Sequence, residues 1–453
     1  TTSAERVASG PSLKRALGLW DLVLYGIIVI QPTAPMPGYG VFSNASRGQV
    51  VTCILLGMVA MVFTAISYGR MARVYPSAGS AYTYVGREIH PALGFVTGWS
   101  MTMDYMINPL ICTIWCGKAM LDFLPGVSPR WWFVVFAVLF TILNLRGVET
   151  SARINKALFA AMGVVIVTFF IVALHYLLHQ GPHSSEFFLR PFYNPENFSG
   201  KVILHGTSLA VLTYIGFDGI STLSEEVHNP RRNVLLATVL VCLVTGLLAS
   251  AEVYLAQLLH PAYGFSAMEA ERAFAHVAAI AGGMALSLAI TLTLFVATLG
   301  SGMGAQLGAA RLLYGMGRSN AIPRPVFGAL DPKTRIPRNN VIIVGMVALL
   351  GALVLRDYDR AAELLNYGAL IAFMGVNLAS FTHYFLRGAK RSFTNLVVPL
   401  FGFAICAALW WNLSRLALLF GSLWMFLGVA YGAWKTRGFK ADLLQFDAPT
   451  EPE

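Results

Sequence analysis

Apolar runs of about 20 residues, the length that crosses a bilayer as helix, recur along the whole chain between short polar segments. This pattern predicts twelve spans, near residues 17–43, 50–73, 92–121, 131–146, 154–178, 202–227, 233–259, 283–309, 339–355, 361–386, 393–413 and 415–435. The strand alternation of a barrel is absent, so the expected fold is an all-α polytopic membrane protein. Two spans carry internal helix breakers. The first contains Pro32, Pro35, Pro37, Gly38 and Gly40 in close succession. Proline removes a backbone donor and blocks the carbonyl one turn back, and glycine permits the angles an unwound stretch needs. One proline suffices for a kink; this cluster goes beyond one. The sixth span reads SLAVLTYIGFDGISTLSEEV, with Gly216 and Gly219 flanking Asp218.

In hydrocarbon, such breaks leave polar backbone groups unpaired at several kcal/mol each. They are expected only where protein or a water-filled cavity surrounds them. Paired interruptions in helices of equivalent rank point to an inverted-repeat transporter with its binding site between them. The five-span separation predicts a 5+5 inverted repeat. The expected organisation is an N-terminal tail (1–16), a first repeat (17–178), an outer loop (179–201), a second repeat (202–386), two appended helices (387–435) and a C-terminal tail (436–453).

Composition agrees: 56% of residues are hydrophobic and 12% charged, too little charge to cover a soluble protein of this length. The net charge of +10 lies in short runs between spans, as the positive-inside rule expects, and makes no nucleic-acid surface. The bias of Lys and Arg toward alternate loops predicts that both termini are cytoplasmic, with the chain in a cell membrane, the bacterial inner membrane being the expected one. Cys53, Cys112, Cys116, Cys242 and Cys406 all fall in predicted spans, which suits packing better than a disulfide framework. Cys112 and Cys116 share a helix face, but two thiols make a poor metal site.

Ionisable groups at membrane depth are expensive and are functional candidates by default. Asp218 lies in the second break, where a carboxylate binds an ammonium, takes a proton or pins unwound amides. Asp104 lies mid-span in GWSMTMDYMINPLICTIWCG with no basic partner at helical spacing; it is either a second acid for a two-headed cation or a polar clasp between helices. Tyr105, Tyr214 and Phe217 offer aromatic faces for an amine or pack as core. Glu252, within the seventh span, is a proton site or a helix-interface partner. Glu225 and Glu226 near HNPRRN are candidate gate partners for nearby arginines, with surface ion pairs as the alternative. GSGMGAQLGAARLLYGMG has small residues at packing spacing and no Walker lysine. No nucleophile–base set, metal set, cofactor motif or filter repeat is present in the sequence, which disfavours an enzyme or channel.

Several motifs resemble the amino acid–polyamine–organocation transporter superfamily over nearly the whole chain. GYGVF (Gly38 to Phe42) resembles its G-x-G-[IV]-F motif in a broken first helix. YIGFDGISTLSEEVHNPRRN resembles its broken sixth helix, FTAISYGRMARVYPSAGSAYTYVGREIHPALGFVTGW its second-to-third helix segment, and ARLLYGMGRSNAIPRPVFG the loop after helix eight. WSMTMDY, GFDGISTLSEE and NYGALIAFMGVNL are most similar to the branch that imports putrescine in bacteria. The resemblance implies alternating access, with proton coupling or substrate exchange, no cofactor, and a small amine or amino acid as partner. It implies a substrate site at Gly38, Tyr39, Gly40 and the Asp218 break. Relatives that bind α-amino acids place a small residue where this chain has Tyr39. Some proton-coupled relatives carry a lysine where this chain has Met162.

Overall fold

The computed structural model describes residues 17–76, 80–146, 152–224, 227–318, 321–331, 336–388 and 391–438. Among them every regular element is helical, and Leu17 and Val227 form an isolated parallel bridge. Among the described residues nine helices are long and apolar enough to cross a membrane: α3 (Val50–Val74), α7 (Ala152–His179), the segment Gly200–Ser221, α11 (Pro230–Leu259), α12 (Ala273–Arg318), α14 (Arg338–Leu355), α15 (Tyr358–Phe381), α16 (Phe393–Trp411) and α17 (Arg415–Lys435). α1 (Leu19–Ile30) and α6 (Pro129–Leu145) are shorter apolar helices. α5 (Pro91–Ala119) has 29 residues but places Asp104 and Lys118 inside an apolar helix.

The outer faces show why these helices suit lipid. On α7 the exposed side chains Val164, Val167, Ile171, Leu174 and Leu178 recur every three or four residues, one continuous stripe of a helix. The inner seams depend on small residues. Gly69 of α3 faces Leu235 of α11 so closely that a Cβ would stand 2.5 Å from the Leu235 Cα, and α3 and α11 approach through this contact.

Both interruptions are present. α1 ends at Ile30, Gln31 adopts a left-handed φ of 73°, and turns carry the chain to α2 (Tyr39–Ser46). This interruption therefore begins before most of the proline cluster, and Gly40 lies inside α2. In the other, α9 (Gly200–Ala210) gives way to a 3-10 turn at Val211–Tyr214, and Gly216 has φ +116° before the short α10 (Gly219–Thr222). Only glycine adopts such an angle readily. α12 kinks at Gly283, φ 63°, where the eighth span was expected to begin. The remaining α-helices are α4 (Ser80–Glu88), α8 (Ser185–Leu189) and α13 (Arg324–Phe327), with a 3-10 turn at Met120–Asp122 and a π-helical turn at Thr382–Leu386.

Candidate binding site between two interrupted helices

The two interruptions lie side by side. A Cβ on Gly216 would meet Val29 at 3.0 Å and Ile30 at 3.5 Å, the last turn of α1. His228 donates its backbone N–H to the Leu17 carbonyl at 2.8 Å, tying the entry of α1 to the segment beyond α10. Polar side chains in the first interruption reach other helices. Gln31 donates Nε2–H to the Ala297 carbonyl of α12 at 2.9 Å, and Thr33 Oγ1 lies 3.9 Å from Met162 Sδ of α7. Met162 thus borders the first interruption with its thioether.

At the second interruption Asp218 follows Gly216 in the turn, and the Gly219 N–H bonds back to the Gly216 carbonyl at 3.1 Å. Burial leaves Asp218 5% exposed. Asp104 of α5 is 6% exposed and lies within electrostatic reach of Asp218. Neither carboxylate forms an ion pair with Lys, Arg or His among the described residues. α5 and α15 are close here because Gly368 lets the Ser100 hydroxyl donate to its carbonyl at 2.8 Å. Tyr105 is close enough to feel both acids.

Aromatic rings complete the surroundings. Phe217 meets Tyr68 edge-on at 5.5 Å and Phe373 at 5.3 Å, and Tyr68 meets Tyr84 at 6.2 Å. Tyr68, Tyr84 and Phe373 were not singled out from sequence. Each is one aromatic in a stretch quoted for its family resemblance, and nothing in an apolar run marks which ring turns toward an acid.

Other expected residues occupy different surroundings. Tyr39 donates its hydroxyl to Gln257 Oε1 at 3.1 Å and packs edge-on against Phe274 and Phe265. A Cβ on Gly38 would run into the Phe42 ring, and one on Gly40 would strike Ala270 and Ala273; both positions need the absence of a side chain. Tyr214 donates to the Ile54 carbonyl at 2.7 Å and packs over Gly57, fastening the 3-10 turn to α3. Gly219 has open space where a Cβ would stand. Glu252 of α11 is fully buried, and neither carboxylate oxygen has a hydrogen-bond partner among the described residues. Glu225 and Glu226 lie outside the described residues. The five cysteines are buried and unbonded to one another.

Two ionic clusters lie away from this site. Lys118 at the end of α5 contacts Glu271 at 2.5 Å and Asp357 at 3.6 Å, and both Lys118 and Glu271 are buried. Lys118 also donates to the Ala267 carbonyl, and Trp115 to that of Glu271. Beside them Asp122 pairs with Arg272 and His276. Burial pushes the Asp122 carboxyl up, but the His276 hydrogen bond and the Arg272 charge outweigh it and hold it below the usual range. The second cluster centres on Glu88 of α4. Tyr75 donates to it at 2.7 Å, with His383 at 2.6 Å and Arg387 at 3.2 Å.

Sequence comparisons bear on this arrangement. A family model described as amino acid permease matches residues 38–447. The chain is 33% identical over 443 residues to the low-affinity putrescine importer PlaP of Escherichia coli K12, covering 96% of each. It is 27% identical to the branched-chain amino acid permease BcaP of Lactococcus lactis subsp. cremoris, over 91% of this chain and 92% of that one. It is 25% identical to the methylthioribose transporter of Bacillus subtilis, over 94% of each. The family match covers most of the chain, and the chain belongs to the amino acid permease family of the amino acid–polyamine–organocation superfamily.

Proposed function

We propose that this chain is a secondary active transporter that imports a small amine or diamine by alternating access, driven by proton coupling or substrate exchange. The observation that carries this reading is the pair of buried carboxylates, Asp104 and Asp218, with no cationic partner among the described residues, at the junction of two interrupted helices. An unpaired buried charge is costly. A ligand ammonium offsets that cost, and Phe217, Tyr68 and Tyr105 supply aromatic faces for its alkyl chain. The importer relative is named for putrescine, a diamine that would engage both acids. In this reading Gly38, Tyr39, Gly40, Tyr214, Gly216 and Gly219 shape the site through the two backbones. Glu225, Glu226 and Glu252 serve gating or coupling. The protein acts on its cargo by moving it, with no catalytic step.

The architecture of this reading is twelve crossings. The nine long helices, α5, the interrupted pair α1 and α2, and α6 make up that number. Residues 17–178 and 202–386 are the inverted repeats, 179–201 the outer loop, 387–435 the appended helices, and 1–16 and 436–453 the cytoplasmic tails. Because the native cysteines are buried, single surface thiols report orientation cleanly. In a bacterial inner membrane, an impermeant thiol reagent added outside should label Ser185→Cys and leave Ala329→Cys untouched. The reverse pattern overturns the orientation.

A second reading, an amino acid permease of the same fold, draws on Tyr39. Its hydroxyl is engaged by Gln257, so its ring does not fill the first interruption in the way that would exclude a ligand carboxylate. Calorimetry on the purified chain decides between the readings. The expected result is that putrescine binds more tightly than ornithine, which adds only a carboxylate to the same diamine. Tighter binding of ornithine or of a branched-chain amino acid overturns the amine reading in favour of the permease.

A further inference from the structure

We infer that Tyr68 of α3 is a specificity-determining residue of the same site, whose hydroxyl takes the far polar end of a two-headed amine while Asp218 holds the near ammonium. The inference rests on the amine reading above and names what would make the site prefer a diamine to a monoamine.

Tyr68 is fully buried, and its hydroxyl has no hydrogen-bond partner among the described residues. Buried polar groups are almost always bonded, and leaving one unmade costs free energy. Tyr214 finds an acceptor on the Ile54 carbonyl at 2.7 Å and Tyr39 on Gln257 at 3.1 Å, whereas Tyr68 and its ring neighbour Tyr84 find none among the described residues. The Tyr68 oxygen lies instead within electrostatic reach of Asp218, Asp104 and Tyr105. Its ring meets Phe217 at 5.5 Å, Phe373 at 5.9 Å and Tyr84 at 6.2 Å, each nearly perpendicular. An unused hydroxyl, two unpaired acids and a set of ring faces therefore lie in one buried neighbourhood.

The chemistry of those groups selects the ligand. A phenolic oxygen accepts a hydrogen bond from an ammonium and donates its own proton to a carboxylate, so it joins a second ammonium to the acidic pair. The ring faces suit methylenes that carry positive charge at their ends. A monoamine engages one acid and leaves the Tyr68 hydroxyl unpaired. A diamine completes it.

The test is calorimetry on the purified full-length chain and its Tyr68→Phe variant, with putrescine and butylamine as probes. Phenylalanine keeps the ring and removes only the oxygen. Putrescine affinity should fall about tenfold, the equivalent of one lost hydrogen bond, while butylamine affinity stays within about twofold of the parent. The ligand-free variant should melt at the same or a higher temperature, because the oxygen it lacks had no partner. Equal loss for both amines, no loss for putrescine, or a lower melting temperature without ligand overturns the role of Tyr68. A parent that binds neither amine overturns the amine reading and this inference together. A parent that binds putrescine while Tyr68→Phe binds it equally well overturns this inference alone.

Discussion

Asp218→Asn is expected to weaken amine binding at least tenfold, or about 1.4 kcal/mol, and to flatten its dependence on pH. The substitution keeps the side chain's shape and removes its charge. In the parent, the carboxylate is buried without a cationic partner among the described residues, and a ligand ammonium adds the opposite charge in a site where water is scarce. Hydrogen bonds to charged groups contribute about 1.5–3 kcal/mol, so a tenfold loss is the lower bound. Proton and ammonium compete for the same oxygens in the parent. Its affinity should therefore fall as pH falls through the titration of the acid, and the variant's should not. Titration calorimetry at several pH values reads both effects. Parent-like putrescine binding by Asp218→Asn would remove the carboxylate from the site.

Lys118→Met should destabilise the folded chain by about 3–5 kcal/mol. Lys118 and Glu271 are both buried and 2.5 Å apart, and Glu271 also accepts from the backbone N–H of Tyr358 at 3.3 Å. Removing the lysine strands a buried carboxylate. The penalty for a lone buried charge, more than the worth of the pair, sets the size of the effect. The contact joins the end of α5, the segment before α12 and the start of α15, so the loss should be cooperative. The paired variant Lys118→Met with Glu271→Gln removes both charges and should recover most of the stability, since neutral replacement of a buried ion pair is often tolerated. Thermal melting of the detergent-solubilised protein reads the comparison. Melting of Lys118→Met within a degree of the parent, or a paired variant no better than the single one, would show that the pair carries no such load.

The helical membrane fold was legible from the chain because its cause is local. Backbone groups in hydrocarbon must pair within their own segment, so length and apolarity alone mark a crossing, and Pro32, Pro35, Pro37 and Gly216 mark where pairing fails. The family was legible for a related reason: GYGVF and GFDGI are contiguous, and a short motif survives in one dimension. The extent of each interruption was not. The first runs from Gln31 and spares Gly40, and the second begins after Ala210, and the contacts that hold these segments, such as the Gln31 side chain on the Ala297 carbonyl 266 residues away, are not marked in the local sequence.

Asp104 and Asp218 stood out because a charge in an apolar run is conspicuous wherever it points. What they face was decided only in three dimensions. Tyr68 and Phe373 are ordinary aromatics along the chain, and packing α3 and α15 against the second interruption brings their rings to Phe217. The same packing turned Tyr39 to Gln257 and Tyr214 to the Ile54 carbonyl. Nothing near Lys118 in the chain marks its partners, and the fold sets Glu271 and Asp357 beside it. Sequence determined which residues carry charge, rings and backbone freedom, since these are properties of single residues and their neighbours. Tertiary structure decided which of them share a buried volume, because burial and pairing depend on helices far apart in the chain.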